Sequence, residues 1–315
     1  MRIRHIAAPA AASALLLLAG CGSDSSSSTS ASAAGSGAGS SSSAPSSSTS
    51  SAQAAASYTC VKGTVTASGS TALQPLVQKA ATDYQTKCPG STVTVSGGGS
   101  STGLSNVDSG TSDIGDSDVP SSNAKSLKNQ LTDHQVAVVV FAVVVNPKTN
   151  VTALTTQQIQ DVFSGKVTNW KSVGGADVPV TLIERKPGSG TRLSFDKDVM
   201  AGTAESATPS STQDSTSLVV SGVGAADGGV SYINAASVGS LTAVAIDQVK
   251  PGAATVADGT YKFFSHEHMY TNAAGSPAAQ DFINFILSSD FQSSVSGLGF
   301  VPAAQATRQS AVDAG

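Results

Sequence analysis

Charge is scarce in this 315-residue chain: Asp, Glu, Lys and Arg make up 12% of it, with a net of −4. There is no run of Lys or Arg, and aromatics reach only 5%, so nucleic acid is excluded as a partner. No apolar stretch is long enough for a permanent membrane helix; the run at 10–20 is too short. No repeat of solenoid length occurs. The glycine-rich loops lack the Gly-Lys-Ser/Thr that a nucleotide-phosphate loop needs. No cofactor is expected. Cysteine is limited to three residues, Cys21, Cys60 and Cys88, and each carries information.

Cys21 follows Leu18-Ala19-Gly20, after Arg2, Arg4 and the apolar run. A basic start, an apolar centre and small residues at a cleavage point make a secretory signal. A Cys directly after Leu-Ala-Gly resembles a bacterial lipobox, which implies cleavage before Cys21 and a lipid on the new N-terminus. An ordinary signal peptide with an incidental Cys is the plainer alternative. Residues 1–20 are thus expected to be a lipoprotein signal peptide, and 21–57 the lipidated Cys with a tether. That tether is nearly all Ser, Ala, Gly and Thr, a composition with little to bury. The mature protein is expected outside the cytoplasmic membrane, held to it by the lipid alone. Cys60 and Cys88 remain as an even pair in an oxidising compartment, which suggests a disulfide; two buried thiols are the alternative.

Strands and helices alternate through 58–315, which argues for an α/β fold. Strands are expected at 61–67, 92–96, 136–145, 178–184, 229–233 and 241–246, and a short extension at 112–114. Helices are expected at 72–87, 102–109, 155–163, 191–200 and 280–288. Residues 136–145 are a continuous β-branched run, the pattern of a strand buried on both faces.

One construction recurs three times: a strand runs into a Gly/Ser/Thr loop that opens a helix. The loops are Ser68-Gly69-Ser70-Thr71, Gly97-Gly98-Gly99-Ser100-Ser101-Thr102-Gly103 and Pro187-Gly188-Ser189-Gly190-Thr191. Glycine allows close backbone approach, hydroxyls donate, and a helix N-terminus favours negative charge. Together they describe an oxyanion cradle of mostly neutral donors. Arg185, just before the third loop, offers two parallel hydrogen bonds to an oxyanion; a surface ion pair with Glu184 is its alternative. Asp118 is a carboxylate among these donors. Ionised, it only accepts, so it suits an anion that still carries a proton. Phosphate does so near neutral pH and sulfate does not. Its alternative is a turn residue before Val119-Pro120.

These segments are similar to those of the PstS family, the phosphate-binding lipoproteins of bacterial ABC uptake systems. The resemblance rests on Gly69-Ser70-Thr71-Ala72-Leu73, Gly98 to Gly103, Asp113-Ile114-Gly115-Asp116-Ser117-Asp118, Phe163-Ser164-Gly165-Lys166-Val167-Thr168-Asn169-Trp170, Arg185 to Arg192 and Gly297-Leu298-Gly299-Phe300-Val301-Pro302. It implies a type II periplasmic-binding-protein-like fold of two lobes, joined by two crossover strands, with the ligand cleft between them. Lobe 1 would be 58–145 plus 248–305, lobe 2 would be 146–247, and 306–315 a tail. The strand at 136–145 would lead into the first crossover. The implied phosphate site is Thr71, Ala72, Ser100, Asp118, Arg185, Ser189, Gly190 and Thr191. The implied function is capture of inorganic phosphate and delivery to the membrane subunits of an ABC permease, by a monomer that is not an enzyme. The chain departs from the family at Pro187, where some members carry an acid that pairs with the arginine.

Other readings compete. Another oxyanion, such as sulfate, molybdate or tungstate, is one. A phosphate sensor without transport is a second. A secreted serine hydrolase is a third, since Gly99-Ser100-Ser101-Thr102-Gly103 matches the G-x-S-x-G pattern with Ser101 as nucleophile and Asp247 and His266 downstream. Only two strands precede that pattern, however, and no His-Gly-Gly lies upstream. His266 and His268 share one face of a strand, but a metal site needs more ligands, so solvated or capping histidines are favoured. Trp170 is expected to pack rather than touch ligand.

Overall fold

The computed structural model describes residues 56–124 and 126–305. The expected signal peptide at 1–20, Cys21, nearly all of the expected 21–57 tether and the expected 306–315 tail lie outside the described residues.

β1 (Gly63–Gly69) buries Val65 and Ala67. It leads into α1 (Gln74–Lys87), where Pro75 occupies the first turn, a place where its missing N–H costs nothing. Leu76, Val77, Ala80, Ala81 and Tyr84 form the buried face of α1. β2 (Ser91–Ser96), α2 (Ser100–Ser109) and β3 (Ile114–Ser117) follow, and β2 and β3 flank β1 in parallel. α2 begins two residues before the expected 102, because Gly99 turns the chain at φ 86° and Ser100 becomes its first residue. Cys60 and Cys88 are bonded, with Cα atoms 5.0 Å apart, so the entry to β1 is tied to the end of α1.

β4 (Thr132–Val145) is buried without interruption from Val136 to Val145. The second half of the chain then builds β5 (Ala153–Leu154), α3 (Thr156–Phe163), β6 (Thr181–Arg185) and α4 (Gly190–Phe195). α3 opens with a capping box between Thr155 and Gln158. α4 widens into a π-helical turn at Asp196–Met200, so the expected 191–200 helix is not uniform. β7 (Ser211–Gln213), α5 (Thr216–Ala225) and β8 (Gly229–Asn234) follow. The expected strand at 241–246 is split into β9 (Thr242–Ala243) and β10 (Ala245–Ile246). The split has a simple cause: β9 pairs with β4 while β10 pairs with β5. The chain returns through α6 (Ala253–Ala257) to β11 (Phe264–Thr271), α7 (Pro277–Leu287), α8 (Ser289–Val295) and β12 (Phe300–Pro302).

The main sheet runs β2-β1-β3-β11-β4-β8-β6-β7, with β9 and β12 also on β4. β4 pairs with β11 over 132–140 and with β8 over 141–145. One strand therefore serves both sides of the sheet in this two-lobed α/β fold, β11 along its first part and β8 along its last. From Val136 to Val145 the strand has no solvent face, which accounts for the unbroken apolar sequence there. The returning chain rejoins there, the Phe141 N–H donating to the Phe263 carbonyl at 3.0 Å. Trp170 packs in the core and donates its indole N–H to the Gly228 carbonyl at 2.9 Å. Among the described residues no helix is long and apolar enough to cross a membrane.

Candidate functional site

The three Gly/Ser/Thr loops converge. The first leaves β1, the second opens α2, and the third opens α4 after β6. Gly69 sits at φ 141°, with the Asp116 backbone where a side chain would be; only glycine fits there. The Ser70 hydroxyl then accepts from the Ala72 and Leu73 N–H groups, both at 3.0 Å, and sets the turn into α1. The third loop touches the second directly: the Ser101 N–H donates to the Gly188 carbonyl at 3.0 Å. At Gly190 a Cβ would overlap the Ser100 hydroxyl and lie 2.8 Å from Asp118 Cβ. The absence of a side chain is what lets the two loops close on each other.

All eight residues predicted from the sequence are buried here: Thr71, Ala72, Ser100, Asp118, Arg185, Ser189, Gly190 and Thr191. Asp118 sits in the bend after β3, where it is tied to all three loops. Its carboxylate accepts from the Ser70 hydroxyl on Oδ1 and from Thr191 Oγ1 on Oδ2, the latter at 2.9 Å, while its own N–H donates to Ser100 Oγ at 3.0 Å. The Ser189 hydroxyl caps α4, accepting from the Arg192 N–H.

Arg185 is 1% exposed. Its Nη2 donates to Thr71 Oγ1 at 3.1 Å, while Nε and Nη1 have no hydrogen-bond partner among the described residues. It makes no ion pair with Glu184, which binds Arg192 instead at 3.2 Å. Arg192 also pairs with Glu205, whose carboxyl is pushed up to about 8, mainly by burial. The acid missing at Pro187 is thus not replaced by an ion pair of Arg185 with another acid among the described residues. A buried guanidinium keeps its charge, so Nε and Nη1 are two nitrogens able to donate.

Burial moves every carboxyl of the site upward. Asp118 is raised by desolvation, against the hydrogen bonds from Ser70 and Thr191 and the charge of Arg185. Asp116 rises well above its ordinary value through desolvation and then the charge of Asp118. Glu267 does the same through desolvation, Asp118 and Asp116. Burial lowers Arg185, and Asp118 opposes that.

Five contributors have no assigned role in the sequence reading. Ser70 lies in a quoted loop and holds Asp118. Thr216 N–H donates to Thr71 Oγ1 at 3.2 Å and Asn234 Nδ2 donates to the Ala72 carbonyl at 2.8 Å, so β8 and the start of α5 reach the first loop. The signal for Thr216 was available in Asp214-Ser215-Thr216, a Ser-capped helix start like the other loops. Asp116 and Glu267 are buried acids whose carboxyl oxygens lack a donor among the described residues. The flanking histidines lead elsewhere: His266 and His268 line a surface groove with Pro120, Lys197 and Lys262. His268 Nδ1 is 2.8 Å from Asp133 Oδ1. Among the described residues no group of His, Cys, Asp and Glu has the arrangement to hold a metal ion. The hydrolase residues are not assembled either: Ser101 packs in the first turn of α2, and Asp247 accepts from the N–H and hydroxyl of Thr156.

Comparison with known proteins gives one consistent answer. The PBP superfamily domain matches residues 26–290. The chain is 37% identical over 244 residues to the phosphate-binding protein PstS of Bacillus subtilis, covering 76% of this chain and 81% of that one. It is similar in structure to a putative phosphate ABC transporter substrate-binding protein with bound phosphate from Clostridium perfringens. That match has a TM-score of 0.70 at 29% identity and covers 76% of this chain and 100% of the other. An ABC-type phosphate transport receptor from Vibrio cholerae matches with a TM-score of 0.59 at 27% identity, over 75% of this chain and 99% of the other.

Proposed function

The chain belongs to the PBP superfamily and, within it, to the PstS family of phosphate-binding proteins, and from that membership we propose how its own residues do the work. It is an extracytoplasmic substrate-binding protein, not an enzyme, that captures inorganic phosphate and delivers it to an ABC permease. The observation that carries the site assignment is Arg185, buried, charged, and with two guanidinium nitrogens unpartnered among the described residues beside Asp118.

In this reading Arg185 supplies the counter-charge. Thr71, Ser100 and Ser189 donate hydroxyls, and Ala72, Gly190 and Thr191 offer backbone N–H groups, the Thr191 hydroxyl already donating to Asp118. Asp118 accepts a hydrogen bond from the hydroxyl that phosphate keeps near neutral pH, and it repels an oxyanion that has none. Lobe 1 (58–145 plus 248–305) brings Thr71, Ala72, Ser100 and Asp118, and lobe 2 (146–247) brings Arg185 and Ser189 to Thr191. Bound phosphate then bridges the lobes and stabilises the closed form, which the permease recognises. The lipid on Cys21 holds this monomeric receptor at the membrane, and the tether gives it reach. Asp118 argues against sulfate or molybdate as the ligand.

Calorimetric titration of the mature protein with phosphate, sulfate and molybdate tests the assignment. Saturable phosphate binding with little heat from the other two is expected. Preference for sulfate or molybdate would overturn it.

A further inference from the structure

Glu267 is fully buried in β11, and neither of its carboxyl oxygens meets a hydrogen-bond donor among the described residues. Its neighbour is Asp118. Ser265, two positions earlier and so on the same side of the strand, donates its hydroxyl to the Asp118 carbonyl. The antiparallel register of β11 on β3, in which His268 faces Ser117, sets Glu267 opposite Asp118 at the next step, and the two carboxyls act on each other electrostatically. Two carboxyls can share a hydrogen bond only if one carries a proton.

The charges nearby say which way the proton lies. The charged groups acting on Glu267 are Asp116 from β3 and Asp118 just beyond it; Arg185 from β6 acts on Asp118. Facing β11, β4 presents Ala137 opposite Glu267 at a bulge that skips Val136, both apolar. His134 contacts Thr271, and His268 contacts Asp133. Three ionised carboxylates would therefore face one guanidinium in a site closed to water, before any anion arrived. Unpaired buried charge is among the costliest things a protein can hold. Asp118 has two hydroxyl donors and the nearer cation; Glu267 has neither.

We propose that Glu267 is a neutral carboxylic acid that donates its O–H to Asp118, a positioning residue that keeps Asp118 an ionised acceptor aimed at the ligand's hydroxyl. This rests on the phosphate reading above. A carboxylate has about four acceptor sites. Ser70 and Thr191 occupy one on each oxygen, Glu267 takes a third, and the fourth is left for a protonated oxyanion. Hydrogen bonds to the charged form favour that form, so the donor behind Asp118 preserves the acceptor in front of it. Specificity for a protonated anion then depends on an acid that never touches the ligand.

The test uses wild type, Glu267→Gln and Glu267→Leu. Infrared difference spectra of ligand-free wild type against Glu267→Gln at neutral pH should show one protonated-carboxyl carbonyl band lost in the variant. No lost band would overturn the proposal, and this readout stands whether or not phosphate is the ligand. Calorimetry with phosphate and sulfate forms the second arm. Glu267→Leu, which has no donor, should lose about tenfold or more of the phosphate-over-sulfate preference, and Glu267→Gln, whose amide donates, should recover most of it. Wild-type preference should decline as rising pH ionises Glu267, whereas that of Glu267→Gln should not. Equal loss in both variants, or parallel pH profiles, would mean that Glu267 only fills space. If Glu267→Leu fails to fold, the spectrum and the pH profile of Glu267→Gln decide alone. Absence of phosphate binding in wild type with the band present would overturn the phosphate reading and leave Glu267 protonated.

Discussion

Arg185 Nη2 donates to Thr71 Oγ1 at 3.1 Å, joining side chains 114 positions apart in the sequence. The bond fixes one corner of the guanidinium and leaves its other two nitrogens directed elsewhere. Arg185→Ala removes the counter-charge and the orienting contact together. Loss of a charge-assisted contact of this kind typically costs on the order of 2–5 kcal/mol. Phosphate affinity should fall about thirtyfold or more by calorimetry. Ligand-induced compaction in small-angle scattering should vanish while the ligand-free profile stays the same. Near-parental affinity with normal compaction would place the cradle elsewhere.

Asp118→Asn replaces an acceptor-only carboxylate by an amide that can donate to an unprotonated oxyanion. Discrimination between phosphate and sulfate should drop at least about tenfold, the scale of one hydrogen bond to a charged group. Competition binding with the two anions reads it directly. If the variant rejects sulfate as strongly as wild type, Asp118 does not set selectivity.

The Cys60–Cys88 bond closes a 28-residue separation around β1 and α1. Replacing both cysteines by serine should cost roughly 2–4 kcal/mol, chiefly by freeing the unfolded chain. Urea titration of the mature protein measures the loss. Alkylation under denaturing conditions followed by intact-mass analysis should find neither thiol free in wild type.

Asp281 gathers four donors: the N–H and hydroxyl of Thr59, the N–H of Val61 and the hydroxyl of Tyr84. It thereby fastens the entry segment and α1 to α7. Burial pushes its carboxyl up, but these donors outweigh burial and hold it below the ordinary 3.8. A lowered carboxyl binds fewer protons folded than unfolded, so its stabilisation is present above the ordinary value and lost as pH falls through the lowered one. Asp281→Ala should destabilise by on the order of 3 kcal/mol at neutral pH. Asp281→Asn should flatten the acid limb of stability against pH; an acid limb identical to wild type would count against this role.

The sequence and the structure agree most where the signal was local. The three loops, the β-branched run of β4 and the inward face of α7 all follow from spacing and residue type. Phe282, Ile283, Phe285 and Ile286 are buried as their spacing implies. The eight site residues come together because each loop carries its own turn chemistry. What the sequence hides is what arrives from elsewhere in the chain. Thr216 and Asn234 matter only because α5 and β8 pack against the first loop. Glu267 matters only because β11 returns between β3 and β4, which sets it behind Asp118. The sequence shows it only as the residue between two histidines; the structure shows it buried and without a donor among the described residues.

The most direct test of the account is a crystal structure of the mature protein with phosphate. It should show one phosphate between the three loops, with Arg185 Nε and Nη1 on its oxygens. Its remaining hydroxyl should point at an Asp118 oxygen within hydrogen-bonding distance. Phosphate bound outside the loops, or bound there with Arg185 Nε and Nη1 still without an acceptor, would contradict it.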